Sequence, residues 1–274
     1  MISVVQLGTV DYATALLLQQ KLVELRKAER ISDTLLLLEH TPVITLGRNA
    51  KVANIIASHE KLSQLAVEIF ESNRGGDVTF HGPGQIVGYP IFDLRTYPSP
   101  GGKRPAMGVV EYVRLLEEVL IRTCAGFGIP TKRVCGLTGV WTDLETNHSD
   151  ASSCSNSLAD SEAKIAAIGV HISRGVTSHG FALNVNTDLD FFNLIIPCGI
   201  AHKPVTSMAK ELQRILPLEE VANAIVRNVG TIFNSQVLWV ETLEALEVHP
   251  VGVPLQTPKE LRKMHHEEDT VRSC

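Results

Sequence analysis

The apolar positions of this 274-residue chain change period several times along its length. Ile2–Leu7 is a short run of strand character. Asp11 then stands in an N-cap position before Ala15, Leu18, Leu22 and Leu25, whose spacing predicts a helix to about Glu29. "TLLLLEH" and "VITLG" predict two buried strands divided by a Thr-Pro turn. "SHEKLSQLA" predicts a short helix and "VEIFES" a strand. The clearest helix is "GVVEYVRLLEEVLIRTCAGFG": Val110, Val113, Leu116, Leu120 and Ile121 form one stripe, and Gly126 and Gly128 end it. "QIVGYPIFDL", "GVWTD", "KIAAIGVHIS" and "TSHGFALNVNTD" predict strands, and a further helix runs from Leu218 to about Phe233.

Strands and helices mix without a regular alternation. The fold class expected is therefore α+β, a mixed β-sheet with flanking helices, and not a doubly wound parallel sheet. No internal repeat is present. Glu145 to Ala163, "ETNHSDASSCSNSLADSEA", is rich in Ser, Asn and Asp and predicts a flexible insertion between two strands. The polar, Pro-interrupted end predicts a mobile tail, so the expected division is one domain over 1–240 and a tail over 241–274. His265 and His266 adjoin acids in that tail, where a solvated run accounts for them better than a metal site.

Composition narrows the function classes. Hydrophobic content of 44% and charged content of 20% are ordinary for a globular enzyme. A net charge of −5 argues against a nucleic-acid partner but leaves room for local basic patches facing an acidic protein. Leu35–Leu38 is far too short to span a bilayer, and the N-terminal run lacks the basic opening of a signal peptide. The expected setting is the cytoplasm, with no membrane association. Five cysteines occur without any C-x-x-C pair, so neither a zinc site nor a disulfide scaffold is expected.

Three features carry candidate chemistry. "IIPCGI" sets Cys198 between proline and glycine, in a turn that suits a nucleophile as well as a small core residue. A cysteine nucleophile needs a base or cation, and His81, His171, His179, His202 and Lys164 are candidates. Lys164 opens an apolar strand, where a solvated strand-start charge is the plainer reading. Ala166, Ala167, Gly169, Gly180 and Ala182 cluster small side chains on two strands, leaving space for a packed element or for an alkyl chain. Finally, "RGGDVTFHGPGQIVGYP" puts five glycines into seventeen residues. It has neither the Lys-Ser/Thr ending of a P-loop nor the G-x-G-x-x-G spacing of a dinucleotide site.

Taken in order, "RGGDVTFHGPGQIVGYPIFDL", "KIAAIGVHISRGVTSHGFALNVNTDL" and "IIPCGI…VTSM" resemble the motif blocks of the lipoyl(octanoyl) transferases, with the likeness running to about Asn234. The resemblance implies the fold of the biotin and lipoate protein ligase catalytic domains. It implies transfer of an octanoyl or lipoyl group from acyl carrier protein to a lysine of lipoyl domains. The acceptors implied are the E2 subunits of 2-oxoacid dehydrogenases and the glycine cleavage H protein. By position, Cys198 becomes the acyl-thioester nucleophile and Lys164 the residue that lowers its pKa. Arg74, Gly75, Gly76, Asp77, Val78, Thr79, Phe80 and His81 become substrate-binding residues, as do Ala167, Ile168 and Gly169, and Gly180, Phe181 and Ala182. No cofactor or metal is implied, and a monomer is expected. Asp77 and Phe80 stand where many relatives carry Gln and Tyr, and the 145–163 insertion departs from the tight turn of the family. An ATP-dependent ligase of the same fold, a non-catalytic carrier-binding module and a Cys-His hydrolase are the competing readings.

Overall fold

The computed structural model describes residues 1–99, 105–142, 162–196 and 203–246. Cys198, Gly199 and His202, residues 145–161 of the expected insertion with Cys154, and the chain beyond 246 with His265, His266 and Cys274 lie outside the described residues.

The elements follow one another as β1 (Ile2–Val10), α1 (Tyr12–Lys27), β2 (Asp33–His40), β3 (Val43–Leu46), α2 (His59–Gln64), β4 (Glu68–Glu71), β5 (Val78–His81), β6 (Gln85–Ile91), α3 (Val109–Gly126), β7 (Thr131–Val134), β8 (Leu137–Thr142), β9 (Lys164–Ser173), β10 (Val176–Asn184), α4 (Met208–Leu212), α5 (Leu218–Ile232) and β11 (Val237–Trp239). Eight strands form one sheet in the order β11-β1-β2-β6-β10-β9-β8-β7, and β4-β3-β5 form a second. β11, β1 and β2 run parallel, and β2, β6, β10, β9, β8 and β7 pair antiparallel. The sheet is mixed and helices flank it, as the element pattern predicts.

The run of four leucines shows why. Leu35 and Leu37 enter a core with Ile2, Val4 and the inner faces of α3 and α5, while Leu36 and Leu38 enter another with Ala15, Leu18 and Leu22 of α1. A strand covered on both faces needs no alternation of polar and apolar positions. Asp11 caps α1 as its position suggests, accepting from the Thr14 N–H at 2.8 Å. The Thr-Pro turn after β2 does more than turn the chain: it moves it out of the large sheet and into the small one. There Ile44, Leu62, Val78 and Phe80 pack with Phe192, Leu194 and Ile195 in a third core. The short edge strands β7 and β11 have no counterpart among the predicted elements. Packing also reaches past residue 240, because Leu243 and Leu246 are buried in the α1 core. The tail expected from 241 is thus anchored through 246.

The close approach of β6 and β10 has a steric condition. A Cβ on Gly180 would lie 2.2 Å from the Gly88 carbonyl oxygen and 2.5 Å from Pro90 Cδ. These are fixed atoms of a central strand, so they have little room to yield. Gly180→Ala is expected to cost about 3 kcal/mol, as strained core insertions do. Urea unfolding of the two proteins checks this, and an unchanged midpoint would show that β6 and β10 can separate freely.

Candidate active site

A cavity of ≈ 300 Å³ lies between the two sheets. It is at the small end of the range for small-molecule pockets, about 300–1,000 Å³. Its floor is the α1 face of the large sheet, with Val87 and Tyr89 of β6, Ala167 and Gly169 of β9, and Gly180 and Ala182 of β10; Ile168 and Phe181, which pack on the other face, also border it. Its wall is the loop and strand from Arg74 to His81. Register aligns the small residues, with Ala167 opposite Ala182 and Gly169 opposite Gly180. The floor is therefore a bare strip along two paired strands.

The glycine-rich loop docks on that floor through its backbone. The Gly75 N–H donates to the Val170 carbonyl at 3.0 Å. A Cβ on Gly169 would come within 2.7 Å of the Gly75 carbonyl oxygen. Arg74 is buried and directs its donors into the protein: Nε and Nη2 to Thr45 Oγ1, Nη2 to the carbonyls of Thr45 and Asp77, and Nη1 to that of Gly75. Asp77 ties the loop to its neighbour, its carboxylate accepting from the N–H of Val78 and Lys51 and from Asn54 Nδ2. The Asn54 carbonyl in turn accepts from the Ile196 N–H at 2.7 Å.

Most of the expected substrate-binding residues thus meet at one cavity: Arg74, Gly76, Asp77, Val78, Thr79 and His81 with Lys164, Ala167, Ile168, Gly169, Gly180, Phe181 and Ala182. Gly75 and Phe80, expected with them, do not line it. Gly75 is spent on the bond to β9. Phe80 alternates to the other face of β5, where it stacks on Phe191 at 4.7 Å between ring centroids. Of the candidate bases, His81, His179 and Lys164 line the cavity and His171 does not. Tyr12, Asn49, Tyr89 and the Gly136–Thr138 turn also line it. Their contribution comes from distant elements, and no local pattern in the chain marks it.

Three imidazoles around the cavity are held neutral. His40 Nδ1 donates to the Val10 carbonyl, so its Nε2 accepts from the Tyr89 hydroxyl, both at 2.7 Å. His81 Nδ1 donates to Gln85 Oε1 at 2.7 Å, because the Gln85 amide nitrogen is already bonded to Phe80 O and Asn184 Oδ1. His179 Nε2 donates to Asn73 Oδ1 at 2.7 Å. Burial pulls His40 down to about 4, and His81 and His179 to about 3. Neither His81 nor His179 is thus poised as a base near neutral pH. Lys164 sits at the other end of the strip and is buried. Its backbone N–H donates to the Pro204 carbonyl at 2.8 Å, and its carbonyl accepts from the Thr206 N–H at 2.9 Å. Of the described cysteines, Cys124 is buried with its thiol pushed up to about 12 by burial, and Cys135 is exposed.

Known proteins place this arrangement. The model of the lipoyl protein ligase A/B catalytic domain matches residues 11–230. The chain is 59% identical over 268 residues to an octanoyltransferase of Koribacter versatilis (strain Ellin345), covering 98% of each chain. It is 54% identical to an octanoyltransferase of Acidobacterium capsulatum, covering 88% of this chain and 94% of that one. Among solved structures it is similar to a bipartite lipoate protein ligase from Thermoplasma acidophilum, at a TM-score of 0.63 and 14% identity, covering 99% of this chain and 93% of that one. It is also similar to a lipoate-protein ligase A bound with ATP, at a TM-score of 0.61 and 14% identity, covering 99% and 95%. At such identities these structures speak for the fold.

The buried histidines set a pH dependence. Each has a folded pKa below its usual value near 6.5, so between that value and about 4 the unfolded chain takes up protons that the folded chain refuses. Their contribution is intact above pH 6.5 and is lost as pH falls, at up to about 1.4 kcal/mol per pH unit for each histidine. Urea midpoints measured from pH 7 to pH 5 are expected to drop steeply. A flat profile over that window contradicts neutral burial of these rings.

Proposed function

The chain belongs to the lipoyl protein ligase A/B catalytic-domain family and is an acyltransferase of the octanoyltransferase kind; on that premise we propose a two-step transfer through Cys198. The donor is an octanoyl thioester of acyl carrier protein, and the acceptor is a lysine of a lipoyl domain. E2 subunits of 2-oxoacid dehydrogenases and the glycine cleavage H protein are the proposed acceptors. The enzyme works as a monomer in the cytoplasm. Among the described residues, no helix is long and apolar enough to cross a membrane.

One observation carries this reading. Lys164 lines the cavity at the end of the Ala/Gly strip, and its backbone is bonded to Pro204 and Thr206, which follow Cys198 in the chain. Ile196, which precedes Cys198, is bonded to Asn54, whose side chain is held by Asp77. On both sides of Cys198 the chain is thus bonded to elements that border the cavity.

In the first step the ammonium of Lys164 favours the Cys198 thiolate, which attacks the thioester carbonyl. The carbon–sulfur bond to the carrier breaks, and the carrier thiolate leaves with a proton from Lys164. In the second step the neutral ε-amine of the acceptor attacks the Cys198 thioester. An amide forms, the Cys198 sulfur departs, and Lys164 takes the amine proton. Thioester to amide is downhill, so the transfer draws on no nucleotide. The acyl chain lies along Ala167, Gly169, Gly180 and Ala182, where absent side chains leave it room. Burying it is worth about 0.8 kcal/mol for each CH₂.

Incubation with octanoyl-acyl carrier protein is expected to add one octanoyl mass to Cys198. Cys198→Ser abolishes the adduct. Lys164→Met slows its formation on the order of 10²–10⁴-fold, the usual worth of such a group. Intact-mass and peptide-mapping spectrometry read both. An adduct on exposed Cys135 instead, or octanoylation of a lipoyl domain from octanoate and ATP alone, contradicts the reading.

A further inference from the structure

The seat of Lys164 is built by β8, and it contains an aromatic residue that the transfer steps above leave unused. Ala166 pairs with Val140 and Lys164 with Trp141, so β9 carries one extra residue between the two pairs. Such a bulge re-aims the side chains beyond it. Ile165 and Ala166 both turn into the core under α3, and Lys164 turns to the cavity face that Ala167 shares. There it is the direct cross-strand partner of Trp141, and partners on one face stand side by side.

The contact is specific. Lys164 Nζ lies 4.7 Å from the centroid of the Trp141 ring, inside the ~6 Å range of a cation–π interaction. Lys164 is 8% exposed and Trp141 1%. A Cβ on Gly139, two positions before Trp141, would meet Lys164 Cε at 3.4 Å and the Ala166 carbonyl oxygen at 2.6 Å. Gly139 thus leaves room for the lysine stem, and Trp141 receives its head. The neighbouring carboxylate Glu162 pairs with Lys132 and Lys203, each at 3.0 Å.

We propose that Trp141 is a positioning residue for acyl transfer, its indole face holding the Lys164 ammonium at the reacting end of the cavity. The inference rests on the role given to Lys164 under the proposed function. A lysine head on a four-carbon stem has many orientations, and few of them present its charge to one sulfur atom. The negative face of the indole removes most of them without supplying a hydrogen-bond acceptor that would compete for the ammonium protons. Trp141 touches neither acyl group nor proton and acts through Lys164 alone.

A double-mutant cycle tests this. Trp141→Leu, which removes the aromatic face, and Trp141→Phe, which keeps a smaller one, are each made in the native chain and with Lys164→Met. Two quantities are read: the single-turnover rate of Cys198 acylation by octanoyl-acyl carrier protein, and the pH profile of Cys198 alkylation by iodoacetamide. Trp141→Leu is expected to slow acylation about tenfold with the donor KM unchanged, and to move the alkylation midpoint to higher pH. Trp141→Phe recovers most of both. With Lys164→Met present, neither Trp141 change has a further effect. If Trp141→Leu does not fold, the Trp141→Phe cycle decides alone. Equal losses in both backgrounds would show that Trp141 only fills space, and no loss in the native chain overturns the proposal as well. Near-normal acylation by Lys164→Met itself would sink the role of Lys164 and this inference with it; its collapse beside an additive Trp141 effect would sink the inference alone.

Discussion

Arg74 is the tie on which the cavity depends. It is a buried cation whose guanidinium bonds Thr45 of β3 and the carbonyls of Gly75 and Asp77 in its own loop. Charged donors bonded to carbonyl groups are stronger than neutral ones, and leaving such acceptors buried and unpaired is costly. The tie fixes the loop against β3, and the Gly75 N–H fixes it against β9. Between these two fixed lines the sheets cannot close on each other. The gap that remains is the cavity.

Small residues keep that gap usable. Ala167, Gly169, Gly180 and Ala182 give the floor no side chain long enough to fill it. Glycine in this region therefore serves two ends. Some glycines let the loop and strands come within contact of each other, and others leave the strip bare. A phosphate cradle is not needed to explain them. The polar side of the cavity is organised by neutral imidazoles; one of them, His81, is bonded to Gln85, and Gln85 to Asn184. The charged side is organised by Lys164 and the indole beside it. One end thus suits an inert chain and the other suits charge redistribution.

Much of this was legible in the chain. Helical spacing located α1, α3 and α5, and the long motif blocks pointed to the strands that make the floor. The likeness of those blocks to one family named the residues that meet there. What the residues did not disclose has identifiable causes. The split of β2 from β3 into different sheets depends on tertiary pairing, since both read as buried strands. Phe80 lies inside a motif, yet strand alternation turns it away from the cavity. The bulge in β9 is the most telling case. Simple alternation from Ala167 would put Lys164 in the core, and a shift of pairing against Val140 and Trp141 reverses that. Tyr12, Tyr89 and Trp141 join the site across long sequence separations, where no local period can announce them.

The central claim is that an octanoyl chain lies along the strip of small residues with its thioester carbon beside Lys164. A crystal structure of the acylated enzyme, trapped without an acceptor, measures this directly. Density is expected to be continuous with the Cys198 sulfur, running over Ala167 and Ala182 toward Gly169 and Gly180, with Lys164 Nζ next to the thioester. A chain found outside this cavity, or attached with Lys164 turned away from it, would contradict the account.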